Sequence, residues 1–513
     1  DGWPTGDAIS VNVNASNLQT SDIAGYIDGA PEVLRNPGRV SGDLALDISD
    51  GKLANLSADV KLVEGRLGIP GFIQEKEFKT AQLDLSYSRS DSHLLVNKAE
   101  FAMPDSRALS FSGSVIELHS SSPIVDGNIK ASRVTTQHIF DNWPSAIKPD
   151  LREALQRRFS GGFFKRINAD FHGVYGGEIK QLNLSKLRLA SQFSAVRANL
   201  EAGQYKRVVT TVDGEMGLEM GPNGHLANFS VDLTMKDGSM LLAGYNKMVP
   251  VLNGTLRSKL TGDKITVDSF NVDLGAAGNL NLDGSLLISD DLALQDLELE
   301  LAVPDMDAHL FAALWPEWAA PVLRRWVKGR VLSGRINDAN ISLSADLDTP
   351  QDVRKVHQLN GRMKLRDSSL AWKKGVPTWD NLDADLVWNN DEFKVDILDG
   401  RFGQLRLKTG SIIIAPVLED LDKNASIVIT GTSDFGALIE LANSSGFVGL
   451  DGFNIKKHKP SGSADFTLFS KVPLDGADPF KNSVQRLEFH ITNGGAENVA
   501  ETLDFENSDL FVS

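Results

Sequence analysis

The chain has 513 residues and a formal net charge of −16, from 52 basic and 68 acidic side chains. This acidic balance argues against a nucleic-acid-binding protein, which needs a basic surface, and against broad electrostatic docking on anionic lipid headgroups. The chain has no cysteine, so disulfide scaffolds, thiol catalysis and thiolate metal sites are excluded. Its hydrophobic fraction of 41%, with 24 Phe and 8 Trp, is sufficient for a large buried core.

Most of the sequence alternates apolar and polar residues with a period of two, which is typical of β-strands with one buried face. In the segment "LALDI", for example, Leu44, Leu46 and Ile48 point to one side. Asp-Gly and Asn-Gly pairs separate such runs and indicate tight turns between antiparallel strands. We predict that the apolar positions line one continuous face: Leu44, Leu46, Ile48, Leu83, Leu85, Phe229, Val231, Leu233, Met235, Phe270, Val272, Leu274, Leu280, Leu282, Leu297, Leu299, Phe393, Val395, Ile397, Leu405, Leu407, Ile427 and Ile429.

Two segments interrupt the strand pattern with the same succession of residues. They are "HIFDNWPSAIKPDLREALQRRFSGGFF", which begins at His138, and "HLFAALWPEWAAPVLRRWVKG", which begins at His309. Each contains a His, a Trp-Pro pair, a helical stretch and then two arginines, an aromatic residue and a Gly. Pro316 and Pro321 predict that the second segment forms two short helices at most. Fainter versions occur at "SDIAGYIDGAPEVLRNPGRVSG" and "SDFGALIELANSSGFVGLDGF".

The sequence therefore predicts an all-β fold built from repeats, namely an elongated, twisted, antiparallel β-groove with short amphipathic helical inserts. We expect a first β segment at residues 1–135 and a second at 136–305, which opens with a helical insert at about 138–160. A third segment is expected at 306–430, with its insert at about 307–328, and an incomplete fourth segment at 431–513.

The sequence contains no recognisable catalytic motif. The nine histidines are scattered, without the paired-His spacing of a zinc site. No nucleophile elbow, P-loop, dinucleotide fingerprint or calcium-loop spacing occurs. We therefore predict no catalytic residue, no metal site and no cofactor, and we expect that the protein is not an enzyme.

The order of strand, Trp-Pro helix, Arg-Arg-aromatic-x-x-Gly and paired strands resembles the AsmA-like proteins of the YhdP type. The motif occurs twice, ending in Gly162 and in Gly329, and the likeness covers most of the chain. The segment "VNVNASNLQTSDIAGYI", followed by "GRVSGDLALDISDGKLANLSADVKLVEGRLGIP", is similar to the opening of that family's repeated periplasmic region.

This resemblance implies a bridge-like lipid-transfer protein that carries phospholipid acyl chains along its β-groove between the inner and outer membranes. It also implies a location in the periplasm of a Gram-negative bacterium. Its expected partners are phospholipids, the inner membrane through an N-terminal anchor outside this chain, and the outer membrane or one of its proteins at the far end. Nucleic acid is not an expected partner.

The helical inserts have two possible roles under this interpretation. In the first, apolar residues plug the surface between repeats, and the arginines are structural; the candidate plug or gate residues are Trp143, Phe159, Leu310, Phe311, Leu314, Trp315 and Trp326. In the second, the arginines contact lipid phosphate groups; the candidates are Arg157, Arg158, Arg324 and Arg325.

Periodicity alone favours a core filled by side chains, whereas the family resemblance favours a groove filled by lipid. Burying one Leu or Phe contributes about 1.5–3 kcal/mol, so an apolar face of this size has to be covered by side chains or by another apolar molecule. A core filled by side chains would indicate a non-transporting periplasmic scaffold or spacer. A third alternative is a polysaccharide-acting β-solenoid enzyme.

Overall fold

The structure is a computed structural model. It describes residues 8–19, 38–69, 73–105, 107–141, 149–176, 181–202, 205–221, 226–242, 245, 247–289, 293–316, 318–348, 355–371, 378–415, 424–445, 458–473, 484–500 and 503–512. These residues divide between two compact units. Unit 1 contains residues 1–201, 208–238 and 255–262, and unit 2 contains residues 202–207, 239–254 and 263–513.

Unit 1 is built from long antiparallel strands and begins with ten of them. They are β1 (Ile9–Gln19), β2 (Arg39–Ser49), β3 (Lys52–Ile69), β4 (Ile73–Ser88), β5 (His93–Ala102), β6 (Ala108–Ile116), β7 (Ile124–Thr135), β8 (Phe159–Ser160), β9 (Phe163–Gly176) and β10 (Gln181–Ala202). Strands β1 to β7 each pair with the next, β9 pairs with both β7 and β10, and β8 pairs with β10. Three further strands carry residues of both units: β11 (Tyr205–Met220), β12 (Leu226–Leu242) and β13 (Val249–Thr261).

Unit 2 is also built from successive antiparallel strands. Its strands are β14 (Lys264–Asp273), β15 (Gly278–Ile288), β16 (Leu294–Asp307), β17 (Val331–Asp346), β18 (Val356–Leu370), β19 (Trp379–Trp388), β20 (Phe393–Phe402), β21 (Leu405–Ala415), β22 (Asn424–Asp434), β23 (Ser461–Pro473), β24 (Val484–Ala500) and β25 (Leu503–Val512). Each of these strands pairs with the next. A 3₁₀ turn at Gly275–Ala277 joins β14 to β15.

Short helices interrupt the strands at the predicted places. They are α1 (Thr136–Asp141) and α2 (Pro149–Arg158) after β7, α3 (Ala308–Leu314) and α4 (Pro321–Lys328) after β16, and α5 (Phe435–Ser445) after β22. Pro316 lies between α3 and α4, and Pro321 begins α4, so the predicted division into two short helices is confirmed. Helix α3 is capped by Asp307, whose side chain accepts a hydrogen bond from the Leu310 N–H at 2.8 Å.

The predicted fold class, an antiparallel all-β chain with short helical inserts, is confirmed. Helix α5 lies in one of the two faint insert segments, whereas most of the other, at residues 20–37, lies outside the described residues. The division into four repeats stays a prediction.

The helices of each unit share one edge of its sheet. In unit 2, α3 follows β16 and α5 follows β22, and these two strands run in the same direction because an even number of antiparallel steps separates them. In unit 1, α1 and α2 follow β7, which runs parallel to β3 and β5. We call this side of each sheet the helix edge and the opposite side the turn edge, which holds the short turns between β4 and β5 in unit 1 and between β19 and β20 in unit 2.

Several strands contain a residue in the left-handed backbone region, next to a shift in register. At three of these bulges, the backbone N–H of the bulged residue donates a hydrogen bond to a polar side chain of another strand. The pairs are Asn17 with Ser41, Ala195 with Asp213, and Asp367 with Asp383, at 2.8–2.9 Å. These bonds fix the position at which each strand bends.

The buried core of unit 1 lies mainly in the half of the sheet nearest the helix edge. One cluster consists of Val40, Leu62, Phe78, Ala81, Ala99 and Phe101. A second cluster consists of Phe193, Val196, Ala198 and Val212, with Phe159, Phe164, Met216, Leu233 and Met235 packed against it. Most of the remaining apolar face of β2 to β7 is only half-buried, although Ala58 is buried.

Candidate functional site

Two rows of apolar residues cross nine strands of unit 1 without a break in register. The middle row consists of Val13, Leu44, Ala58, Leu85, Val96, Gly113, Gly127, Phe171 and Leu187. The turn-edge row of unit 1 lies beside it and consists of Val11, Leu46, Leu56, Tyr87, Leu94, Val115, Val125, Gly173 and Leu184. Strand pairing thus brings predicted residues from different strands into continuous rows.

The predicted groove residues of unit 1 are half-buried. This group comprises Leu44, Leu46, Ile48, Leu83, Leu85, Phe229, Val231, Leu233 and Met235. Each therefore retains apolar surface that the protein itself does not cover. Whether this surface holds a ligand stays a prediction.

The single polar atom among the side chains of the turn-edge row of unit 1 already has a partner. The Tyr87 hydroxyl lies 2.8 Å from Nε2 of His119, and the two rings meet edge to face with centroids 6.1 Å apart. The row therefore presents carbon to its surroundings, without a free hydroxyl.

In unit 2 the apolar rows are packed more tightly. Eight of the predicted residues are buried, namely Val272, Leu274, Phe393, Ile397, Leu405, Leu407, Ile427 and Ile429. Six are half-buried, namely Phe270, Leu280, Leu282, Leu297, Leu299 and Val395. The turn-edge row of unit 2 consists of Gly361, Trp388, Phe393, Ile414, Ala425 and Val472.

Aromatic rings cover glycines on the apolar face, which sequence reasoning did not identify. A Cβ on Gly361 would overlap the Trp388 ring, and a Cβ on Gly127 would come within 2.5 Å of the Phe171 ring. These glycines are needed because the rings occupy the space directly above the backbone. Such pairs depend on register, so strand alternation alone gives no signal for them.

The insert of unit 2 is held together by its own polar groups. The Trp315 indole Nε1 donates to the Ala319 carbonyl at 2.7 Å, and the Arg324 Nε donates to the Trp315 carbonyl at 2.7 Å. Arg324 is only 7% exposed, and Leu310 and Phe311 are buried nearby, whereas Leu314 and Trp315 are half-buried. This geometry is typical of a structural arginine at a helix C-terminus.

The insert of unit 1 differs in its burial. Phe159 begins strand β8, directly after α2, and packs against the Phe193 cluster, whereas Arg157 and Arg158 are exposed. Trp143 lies outside the described residues, as do the side chains of Arg325 and Trp326. The plug and headgroup roles of these residues stay predictions.

The matching histidines of the two inserts make different contacts. Nδ1 of His138 lies 2.5 Å from the Thr135 hydroxyl at the start of α1. The His309 ring meets the Tyr245 ring edge to face, with centroids 5.6 Å apart. Burial, followed by the nearby Asp307 charge, raises the pKa of Tyr245 above its usual 10.0. Both histidines therefore make contacts that suit a structural role.

The polar face of the sheets carries cross-strand ion pairs. In unit 2 Lys364 pairs with Asp338 at 2.7 Å, and this hydrogen bond is the main reason why the pKa of Asp338 lies below 3.8. Arg366 also pairs with Asp385 at 2.7 Å. Because these side chains are largely or partly exposed, water and salt screen both pairs and their contribution to stability is small. Among the described residues, no group of His, Asp or Glu is arranged to hold a metal ion.

Comparison with known proteins identifies the family of this chain. No helix among the described residues is both long and apolar enough to cross a membrane. No curated protein and no solved structure matches the chain. The model of the YhdP protein family matches residues 8–512, nearly the whole length. The chain therefore belongs to the YhdP family.

Proposed function

We propose that this chain carries the acyl chains of phospholipids along the apolar face of its sheets. Membership of the YhdP family supports a bridge-like lipid-transport role in the bacterial envelope rather than an enzymatic one. The more specific proposal is that the chain is the periplasmic part of a transporter anchored in the inner membrane of a Gram-negative bacterium. The transporter would deliver phospholipid to the outer membrane or to a protein there.

The observation that carries this proposal is the pair of apolar rows in unit 1, whose members are mostly half-buried; the exceptions are Val13, which is exposed, and Ala58 and Gly173, which are buried. Nine strands at about 4.8 Å spacing give these rows a length of roughly 40 Å, which exceeds the length of one acyl chain. An acyl chain needs no directed polar contact, and the only side-chain polar group of the turn-edge row is already bonded to His119. Covering this surface with acyl chains contributes about 25 cal/mol for each Å² of apolar area removed from water.

Lipid extraction and mass spectrometry of the protein purified from bacterial envelopes test the proposal. We expect phospholipid to co-purify with the parent chain. Leu46→Asp and Leu85→Asp place a charge on the half-buried rows and should remove most of this lipid while circular dichroism stays unchanged. Ser57→Asp is the matched control, because Ser57 is exposed on the polar face of β3.

Three outcomes would contradict the proposal. Absence of lipid from the parent chain would favour a scaffold or spacer with a dry core. Equal lipid content in the Leu46→Asp, Leu85→Asp and Ser57→Asp proteins would show that the apolar rows do not hold the lipid. Turnover of a glycan by the purified chain would favour the enzyme alternative.

A further inference from the structure

The turn edges of the two units are built alike but differ in burial. In unit 1 Tyr87 and Leu94 flank the turn between β4 and β5, and both are half-buried. In unit 2 Trp388 and Phe393 flank the turn between β19 and β20, and they are only 5% and 3% exposed. Equivalent places in the two sheets thus differ in whether apolar surface remains uncovered.

The difference extends along both rows. On the turn-edge row of unit 2, Ile414, Ala425 and Val472 are each no more than 3% exposed. On the turn-edge row of unit 1, Leu46, Val115 and most of the other residues are half-buried. One row is therefore filled by the protein's own side chains, whereas the other is not.

Packing of Trp388 explains the closed state in unit 2. Its ring stacks on Phe393 with centroids 5.8 Å apart and an interplanar angle of 28°. The same ring lies over Gly361, where a Cβ would overlap it. The Trp388 ring thus fills the space above Gly361, and Phe393 packs beside that ring in the row. An interior packed at this density has no room for an acyl chain.

We propose that Gly361, Trp388 and Phe393 form a lateral seal that excludes acyl chains from the turn edge of unit 2. Of the two turn-edge rows, only that of unit 1 is then open to an acyl chain, beside the middle row of the same unit. The occupant is an acyl chain because that row has no free side-chain hydrogen-bonding group and because the family is one of lipid carriers. This inference rests on the proposed function and adds where on the chain a lipid binds.

Mapping of photocrosslinks tests the inference on the whole chain. The probe is phosphatidylethanolamine with a diazirine in one acyl chain, presented in phosphatidylethanolamine vesicles, and the adducts are located by peptide mass spectrometry. We expect adducts on β2 to β7 and an about tenfold lower yield on β19 to β22, because a close-packed surface admits no acyl chain. Equal yields on the two sets of strands would overturn the seal but leave the proposed function intact. Absence of adducts from the whole chain would overturn both.

Opening the seal provides the second measurement. Gly361→Ala displaces the Trp388 ring without removing apolar side chains, and Trp388→Ala removes the ring itself. Either variant should raise the adduct yield on β19 to β22 to that of β2 to β7. The matched control is Gly221→Ala, because a Cβ at Gly221 meets no atom within 4 Å. If Gly361→Ala fails to fold, Trp388→Ala and Phe393→Leu test the same point; folded variants without new adducts would overturn the seal.

Discussion

Asp213 accepts the backbone N–H of Ala195 at 2.8 Å, and Ala195 has a φ of 54°, in the left-handed region. The same carboxylate accepts the Ser194 hydroxyl and pairs with Lys236 at 2.6 Å. One side chain on β11 thus holds a strained bulge in β10, and the bulge sets the bend of that strand.

Asp213→Asn should lower the free energy of unfolding of unit 1 by about 1 kcal/mol at pH 7, because the Lys236 ion pair is lost and the bulge is held less firmly. The hydrogen bond from Lys236, followed by that from Ser194, holds the pKa of Asp213 well below its ordinary 3.8. A lowered carboxyl pKa stabilises the fold above 3.8, and this contribution is lost as the pH falls through the folded-state value. Urea titrations followed by hydrogen exchange measure the free energy of unfolding of both proteins. The difference between the parent and the variant should therefore shrink as the pH falls.

Asp232→Asn is the control for this prediction. Asp232 pairs with Arg257 at 2.9 Å, but both side chains are largely exposed, so the change should stay within about 0.5 kcal/mol. If Asp232→Asn lowers the free energy of unfolding as much as Asp213→Asn does, the hydrogen bond to the bulge makes no special contribution to stability.

Arg324→Ala should destabilise unit 2 by about 2–3 kcal/mol, because the Trp315 carbonyl loses a charged donor inside the insert. Thermal unfolding followed by tryptophan fluorescence measures this change, since Trp315, Trp379 and Trp388 lie in that unit. The phospholipid content of the folded protein should not change. Loss of lipid at unchanged stability would instead support the headgroup role of this arginine.

The exposed arginines of α2 provide the complementary test of headgroup contact. Arg157→Glu combined with Arg158→Glu reverses two exposed charges with little effect on packing, so stability should change by less than about 0.5 kcal/mol. If these residues contact lipid phosphate, the double variant should lose co-purified phospholipid. Unchanged lipid content would leave the plug as the role of the insert.

Gly127→Ala should destabilise unit 1 by about 1–3 kcal/mol, because a Cβ there would come within 2.5 Å of the Phe171 ring and 3.0 Å of the Phe111 ring. Hydrogen exchange of β7 and β9 measures the loss. Gly221→Ala, which adds a methyl group in open space, should be close to neutral. Equal effects of the two substitutions would show that chain entropy rather than ring overlap decides the result.

Truncation of apolar residues should distinguish the two kinds of row. Ile427→Ala removes a side chain that is 2% exposed and should cost about 2–5 kcal/mol through cavity formation. Leu46→Ala removes a half-buried side chain and should cost about 1 kcal/mol, because less apolar surface returns to water. Urea unfolding of both variants without bound lipid gives the comparison; equal costs would contradict the difference in packing.

The period-two pattern was sufficient to predict the strands and the shared face of their apolar residues. Leu44 and Leu85 lie in the same row, because directly paired residues of neighbouring strands point to the same face of the sheet. Pro316 and Pro321 likewise predicted the break between α3 and α4, since proline removes a backbone donor and fixes φ.

Other features depend on interactions that a pattern does not encode. Ala195 has no local signal for a left-handed backbone, because the stabilising carboxylate belongs to another strand. The degree of burial also could not be predicted. Leu46 and Ile427 follow the same alternation, yet one is half-buried and the other buried, because burial depends on which side chains of other strands cover each position.

Strand pairing in each unit is almost entirely between strands that follow each other in the sequence. Even where the helical insert separates β7 from β9, these two strands pair with each other. A chain of this kind can fold progressively as it is synthesised, since no strand has to wait for a distant partner. It can also be lengthened or shortened by whole hairpins, because removing two strands preserves the direction of all that follow. Deletion of one strand should abolish folding, whereas deletion of two neighbouring strands should be tolerated.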